Sequence, residues 1–339
     1  MRYQRLGSTG LNVSELCLGA MTFGHQFGVI GTVGQDDANV LVRTALDAGV
    51  NFFDTAEVYS LGESEEILGE AIRASGVARA EVVVATKVSG RPPAELTQAN
   101  ANGVGQSRKH IREACDASLR RLGLDYIDLY QTHRYDAETP LEETLDALND
   151  LVRAGKVLYV GCSNIPPRHL VRALGQQREH DWARYVSLQA YYSLVGREIE
   201  LELLPLCREE GLGVMVWSPL SGGYLSGKYR PGGSHEGRRT EYDFPPVAQN
   251  AEDVFGPLEE IASEHGVSLA TIALAWLRHQ PGISSVIMGA SKPEQLSENL
   301  SSVDVNLSAD ELERLGSPTR PTPIYPEWML KSRTVAPQR

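Results

Sequence analysis

The stretch Phe52-Phe53-Asp54-Thr55-Ala56-Glu57-Val58-Tyr59 ends a short apolar run on an acid and places a tyrosine five residues later. Ser64-Glu65-Glu66-Ile67-Leu68-Gly69-Glu70 follows and reads as a capped helix start. Asp54 and Tyr59 thus lie where a strand gives way to a loop and a helix, which in a β/α barrel is the face that carries chemistry. Two further polar residues share that context. Lys87 closes Val82-Val83-Val84-Ala85-Thr86, and His133 closes Tyr126-Ile127-Asp128-Leu129-Tyr130-Gln131-Thr132.

Outward from these points, the chain alternates apolar strands with amphipathic helices. Arg2–Leu6 and Leu11–Ser14 flank Gly7-Ser8-Thr9-Gly10 as a small hairpin. Strands are expected over 13–18, 51–54, 81–88, 126–132, 157–162, 185–189, 214–217 and 284–288. Helices are expected over 37–48, 64–74, 108–122, 140–154, 166–180, 198–210, 251–265, 269–278, 293–300 and 308–315. Most strands are apolar throughout rather than alternating, as in a parallel sheet covered on both faces. The pattern predicts an α/β fold, a (β/α)8 TIM barrel with an N-terminal β-hairpin and extra helices and loops. A single domain over 1–339 is expected, with long loops at 89–106 and 221–246 and a C-terminal tail over 316–339. The rival, a doubly wound sheet, needs a G-x-G-x-x-G after an early strand, and Gly19-Ala20-Met21-Thr22-Phe23-Gly24 does not supply it.

Composition narrows the function. A net charge of −12 argues against nucleic acid, which asks for clustered cations. No apolar run is long enough to span a bilayer, and the N-terminus has no apolar signal segment, so a cytoplasmic protein is expected. Cys17, Cys115, Cys162 and Cys207 form no CxxC pair and read as buried thiols rather than disulfides or metal ligands. No metal site is expected.

Singly, each polar residue has an ordinary explanation: a turn acid, a half-wet tyrosine, the first solvated lysine, a satisfied histidine. Together they do not. Asp54, Tyr59, Lys87 and His133 follow three successive strands whose C-terminal ends lie side by side. An ammonium beside a phenol favours phenolate and lowers its pKa, a carboxylate keeps that ammonium charged, and a neutral imidazole can donate to the same oxygen. The set suits protonation of a carbonyl oxygen as hydride reaches its carbon.

With these residues in view, the chain resembles the aldo-keto reductase family. The likeness rests on Asp54-Thr55-Ala56-Glu57-Val58-Tyr59, Ala85-Thr86-Lys87-Val88, Asp128-Leu129-Tyr130-Gln131-Thr132-His133, Gly161-Cys162-Ser163-Asn164, Trp217-Ser218-Pro219-Leu220 and the segment Gly289 to Asn299. It extends from Gly7-Ser8-Thr9-Gly10-Leu11 to the tail around Trp328, and is also close to the channel β-subunit branch. The resemblance implies NAD(P)H, reversible carbonyl reduction, and a catalytic tetrad at Asp54, Tyr59, Lys87 and His133. It implies that Ser163, Asn164 and Gln189 bind the nicotinamide amide, that Trp217 stacks on the ring, and that Ser218, Leu220, Gly223 and Lys228 lie under the pyrophosphate. Gly289, Ser291, Lys292, Gln295, Glu298 and Asn299 would hold the adenosine end. Gly19 and Met21 are placed with the cofactor as well. The family commonly has Arg where Ser291 stands, so NADPH is expected with moderate preference and NADH as the weaker ligand. The partner is a small-molecule carbonyl substrate, with neither nucleic acid nor membrane; a homo-oligomer stays open. The alternative is a cofactor-binding partner subunit of the same fold with little turnover.

Overall fold

The computed structural model describes residues 1–26, 28, 30–88, 101–230 and 233–331. Strands β1 (Tyr3–Arg5) and β2 (Asn12–Ser14) form an antiparallel hairpin, with Tyr3 opposite Ser14 and Arg5 opposite Asn12. Eight strands then close a barrel: β3 (Leu16–Gly19), β4 (Phe52–Asp54), β5 (Val83–Val88), β6 (Ile127–Thr132), β7 (Val157–Ser163), β8 (Tyr185–Tyr191), β9 (Gly213–Trp217) and β10 (Ile283–Met288). Every neighbouring pair is parallel, and β10 closes on β3 through Val286–Leu16 and Met288–Leu18.

The helices are α1 (Gln35–Asp47), α2 (Glu63–Ser75), α3 (Arg108–Leu122), α4 (Leu141–Arg153), α5 (Pro167–Glu179), α6 (Leu203–Glu210), α7 (Phe255–His265), α8 (Leu269–Arg278), α9 (Pro293–Leu300), α10 (Ala309–Gly316) and a short tail helix α11 (Glu327–Lys331). At three helix starts, sequence and structure agree. Ser107, Ser268 and Ser308 each cap the helix expected of them, and Ser308 with Glu311 completes the capping box.

The core has two parts. A large layer fills the space between strands and helices, with Leu18, Phe53, Tyr130, Val216 and Trp276 fully or almost fully buried in it. A smaller cluster fills the barrel itself: Leu6, Val13, Cys17, Phe52, Val83, Ala85, Leu129, Met215 and Ile287. Leu6 and Val13 come from the hairpin, which therefore plugs the barrel's N-terminal mouth. Period-two alternation along each strand divides residues between the two parts, so Phe52 points in while Phe53 points out.

Four expectations change. The run read as one strand over 13–18 is two: β2 ends at Ser14, whose Oγ donates to Leu16 O at 2.6 Å, and the chain bends at Glu15 before β3. The helix read over 198–210 splits into a 3-10 turn, Glu198–Glu200, and α6. Likewise 251–265 splits into Ala251–Val254 and α7. The reason is the same in both: Pro205 and Pro257 lack an N–H and are tolerated only in a first turn, so each α-helix starts just before its proline. Finally, Ser64 does not cap α2. The N-cap is Gly62, at φ 97°, and Ser64 is instead buried, donating to Ala20 O at 2.6 Å and bonding Thr55 Oγ1 at 2.8 Å.

Of the loop expected over 89–106, residues 89–100 lie outside the described residues, as do 332–339 of the tail. Of the loop expected over 221–246, residues 231 and 232 lie outside the described residues; Arg239 ties its two ends, donating to Ser221 O at 3.0 Å and Pro245 O at 2.7 Å and pairing with Asp243.

Candidate active site

Asp54 is the last residue of β4, Lys87 the fifth of β5, and His133 follows β6 directly. All three therefore reach the C-terminal mouth of the barrel. Tyr59 arrives by a different route. Behind it Ser60 and Leu61 adopt left-handed backbone at φ 47° and 58°, followed by Gly62. This tight turn sends the chain into α2 and leaves the phenol aimed back at Lys87.

The four side chains meet. Lys87 is 0 % exposed and Asp54 3 %, and the two form a buried ion pair through Asp54 Oδ1. Lys87 Nζ also donates to Thr55 O at 2.8 Å and to the Tyr59 hydroxyl at 3.4 Å. The Tyr59 and His133 rings stand edge to face, centroids 5.6 Å apart at 82°. The Nδ1 of His133 is buried and has no hydrogen-bond partner among the described residues.

Burial opposes the charge on Lys87 most strongly, but Asp54 and Tyr59 together outweigh it and hold the ammonium above its usual pKa. His133 is pushed well below the usual histidine value by burial, then by Lys87 and Arg134, so it is neutral at pH 7. Tyr59 departs from expectation. Burial raises its pKa above that of a free phenol, and the opposing pull of Lys87 does not win. The physical reason is that phenolate loses water on every side, whereas one ammonium, already claimed by Asp54, restores only part of that.

The residues expected around a nicotinamide are joined to this cluster. Gln189 Nε2 donates to Asp54 Oδ2 at 2.9 Å. Asn164 Nδ2 donates to His133 O and to Ser163 Oγ, both at 2.9 Å, and its Oδ1 accepts from Trp217 Nε1 at 3.3 Å. Trp217 is flanked by Tyr191, at 5.1 Å, and by Phe244, nearly parallel at 5.9 Å. Ser218 Oγ accepts from Gly222 N at 3.1 Å, and Leu220 O from Gly223 N at 2.9 Å. Gly19 lies beside Asp54 in the barrel register, and a Cβ there would come within 2.7 Å of Ile287 Cγ2. Met21 is half-buried on the turn that follows.

Lys228 is half-buried between Gly223 and Gly237; a Cβ on those glycines would lie 3.4 and 2.6 Å from its Nζ. It has no ion-pair partner among the described residues.

The segment expected to hold the adenosine end is a separate corner, after β10. Gly289, Ser291, Lys292, Gln295 and Glu298 are exposed, and Gln295 Oε1 accepts from Ser291 N at 3.2 Å. Asn299 shares a helix face with Gln295 but is only 2 % exposed, because it lies one turn deeper, where α9 packs on α1 and α8.

Among the described residues, five of the seven non-glycine residues with positive φ sit on this rim: Ser60, Leu61, Asn164, Ser218 and Ser221. Backbone strain of this kind costs about 1–3 kcal/mol per residue and gathers where a fold holds groups for function.

Residues 15–317 match the aldo/keto reductase family over nearly the whole chain. The chain belongs to that family. It is an oxidoreductase of the carbonyl-reducing, NAD(P)H-using kind. This aldo/keto reductase is similar to a probable voltage-gated potassium channel subunit beta of Arabidopsis thaliana, 40 % identical over 313 residues, covering 90 % of this chain and 92 % of that one. It is similar to the versiconal hemiacetal acetate reductase of Aspergillus parasiticus, 34 % identical over 345 residues, covering 96 % and 99 %. It is also similar to the uncharacterized oxidoreductase YrpG of Bacillus subtilis, 37 % identical over 319 residues, covering 93 % and 95 %. Among the described residues of the reductase, no helix is long and apolar enough to cross a membrane, and no group of three or more His, Cys, Asp or Glu could hold a metal ion. Its four cysteines are free and buried.

Sequence reading missed Gln131, which is buried and donates to Asp54 Oδ2 at 3.2 Å. The signal was available: Leu129 and Gln131 alternate along β6 in step with His133 just beyond it, so Gln131 shares the inward face. Arg239 and Phe244, from the 221–246 loop, carried no such signal.

Proposed function

We propose that the chain reduces an aldehyde or ketone to the alcohol with NADPH, Tyr59 giving the proton. The observation that carries this reading is the buried Lys87 ammonium, 3.4 Å from the Tyr59 hydroxyl and paired beneath with Asp54. Bound NADPH supplies the hydride that reduces the carbonyl carbon. Tyr59 hands its proton to the carbonyl oxygen and takes one back from solvent. Its raised pKa keeps it protonated throughout neutral pH, which suits a donor. Lys87 stabilises the phenolate as it forms, and Asp54 holds Lys87 in place. Neutral His133 offers an N–H to the same oxygen and orients the substrate.

The residues on the rim fit a dinucleotide. Lys228, a half-buried ammonium without an acid partner among the described residues, suits a diphosphate. Ser163, Asn164 and Gln189 would hold the nicotinamide amide and Trp217 its ring, while Gly289, Ser291, Gln295, Glu298 and Asn299 would take the adenosine end. Lys292, exposed and without an ion-pair partner among the described residues, favours the 2′-phosphate of NADPH over NADH. Loss of that one charge-assisted bond should weaken NADPH about ten- to a hundred-fold in Lys292→Met and leave NADH unchanged.

The test is NADPH consumption with a panel of aldehydes, ketones and keto-sugars. The wild type should turn over. Tyr59→Phe should lose about 10²–10⁴ in kcat with NADPH affinity retained; a kcat near wild type in that variant would remove Tyr59 from its role. A second reading, a cofactor-binding partner subunit with little turnover, is favoured by the likeness to chains named as probable potassium channel β subunits. Cofactor binding without turnover of any carbonyl in the panel selects it.

A further inference from the structure

The geometry points to Gln131 as a positioning residue that sets which end of the Gln189 amide faces the cofactor. The inference rests on the functional reading above, because Gln189 is the group proposed to bind the nicotinamide amide. Asp54 is ionised against Lys87, so it only accepts hydrogen bonds. Its Oδ1 is taken by Lys87, and Oδ2 receives two amides, Gln189 Nε2 at 2.9 Å and Gln131 Nε2 at 3.2 Å. The triangle closes through Gln189 Nε2, whose second N–H points to Gln131 Oε1 at 3.4 Å.

Only one arrangement of the two amides satisfies these contacts. Turning Gln189 over would set its Oε1 against Asp54 Oδ2 and Gln131 Oε1, three acceptors with no proton among them. Turning Gln131 over would oppose its Oε1 to Asp54 and its Nε2 to the Nε2 of Gln189. All three side chains are 3 % exposed or less, so water cannot repair either error. Gln189 therefore keeps both N–H groups inward and has only its carbonyl oxygen to offer elsewhere, an acceptor matched to an amide N–H. Gln131 touches neither substrate nor cofactor in this scheme. It acts through Gln189, and through Asp54 on the Lys87–Tyr59 pair.

Two variants test this, with NADPH dissociation constants from quenching of tryptophan fluorescence as a readout separate from turnover. Gln131→Met keeps the length and removes both hydrogen bonds. It should weaken NADPH several-fold to about ten-fold, the worth of a net hydrogen bond or a little more, with kcat falling more than the carbonyl KM rises. Gln131→Glu carries its own rescue. Protonated, its carboxyl donates to Asp54 and accepts from Gln189 as the amide did; ionised, it repels Asp54 and leaves both short of a partner. Burial and Asp54 favour the protonated form. The affinity ratio of Gln131→Glu to wild type should therefore be near unity at about pH 5.5 and fall about ten-fold or more by about pH 8.5.

Wild-type NADPH affinity in Gln131→Met, or a flat ratio across pH in Gln131→Glu, overturns the inference. Should Gln131→Met fail to fold, Gln131→Glu alone decides. Failure of the functional reading looks different: a wild type that turns over no carbonyl, whatever the variants bind.

Discussion

Two layers share the inside of the barrel and are built from the same strands. The lower is apolar: Phe52, Ala85 and Leu129 with Leu6 and Val13 beneath them. The upper begins two residues further along each of those strands, at Asp54, Lys87 and Gln131, and is polar and equally dry. One inward step converts packing into chemistry. The lower layer gains stability from every methylene removed from water. The upper layer has two ions and two amides without solvent, and holds only because each is paired with another. The same backbone regularity serves both purposes. What separates the layers is their tolerance: the lower loses in proportion to volume removed, the upper loses abruptly when one partner goes.

Lys87→Met tests that abruptness most severely. It leaves Asp54 buried without its counter-ion, so unfolding free energy should fall by about 3–5 kcal/mol. In the surviving folded fraction kcat should drop by about 10²–10⁴. Denaturant melts and steady-state rates read the two effects; a variant as stable as wild type would mean that the ion pair is not buried as described. Phe52→Ala should also cost about 3–5 kcal/mol, through a cavity, yet leave kcat of folded enzyme near wild type. A large kcat loss there would show the two layers to be coupled.

A smaller effect concerns His133, on the rim above the polar layer. Its pKa in the folded chain lies well below 6.5, so below that pH the unfolded chain binds a proton that the folded one refuses. Stability present above about pH 6.5 is therefore lost as pH falls, with a slope from this one group of up to about 1.4 kcal/mol per unit. Comparing wild type with His133→Gln from about pH 7 to about pH 5 isolates it. Equal slopes would place the imidazole in water. The smallest expected change is Ile287→Val in the lower layer, about 0.5–1.5 kcal/mol with unaltered kinetics.

What sequence alone determined was whatever rests on local chemistry or on strand counting. Ser107, Ser268 and Ser308 cap their helices because a cap is made within three residues. Eight apolar runs separated by helices leave few architectures, and strand ends placed Asp54, Lys87 and His133 on one rim. What tertiary structure decided lies across long stretches of chain or depends on burial. Gln131 and Gln189 meet Asp54 over 77 and 135 residues, and no local pattern encodes that triangle. Ser64 left its expected cap for Thr55 and Ala20 because the strained turn at Ser60 and Leu61 moved the helix start. The direction of the Tyr59 shift was decided there too. Sequence showed a lysine able to lower it; only the closed site shows how little water remains to help, and desolvation outweighs that single charge.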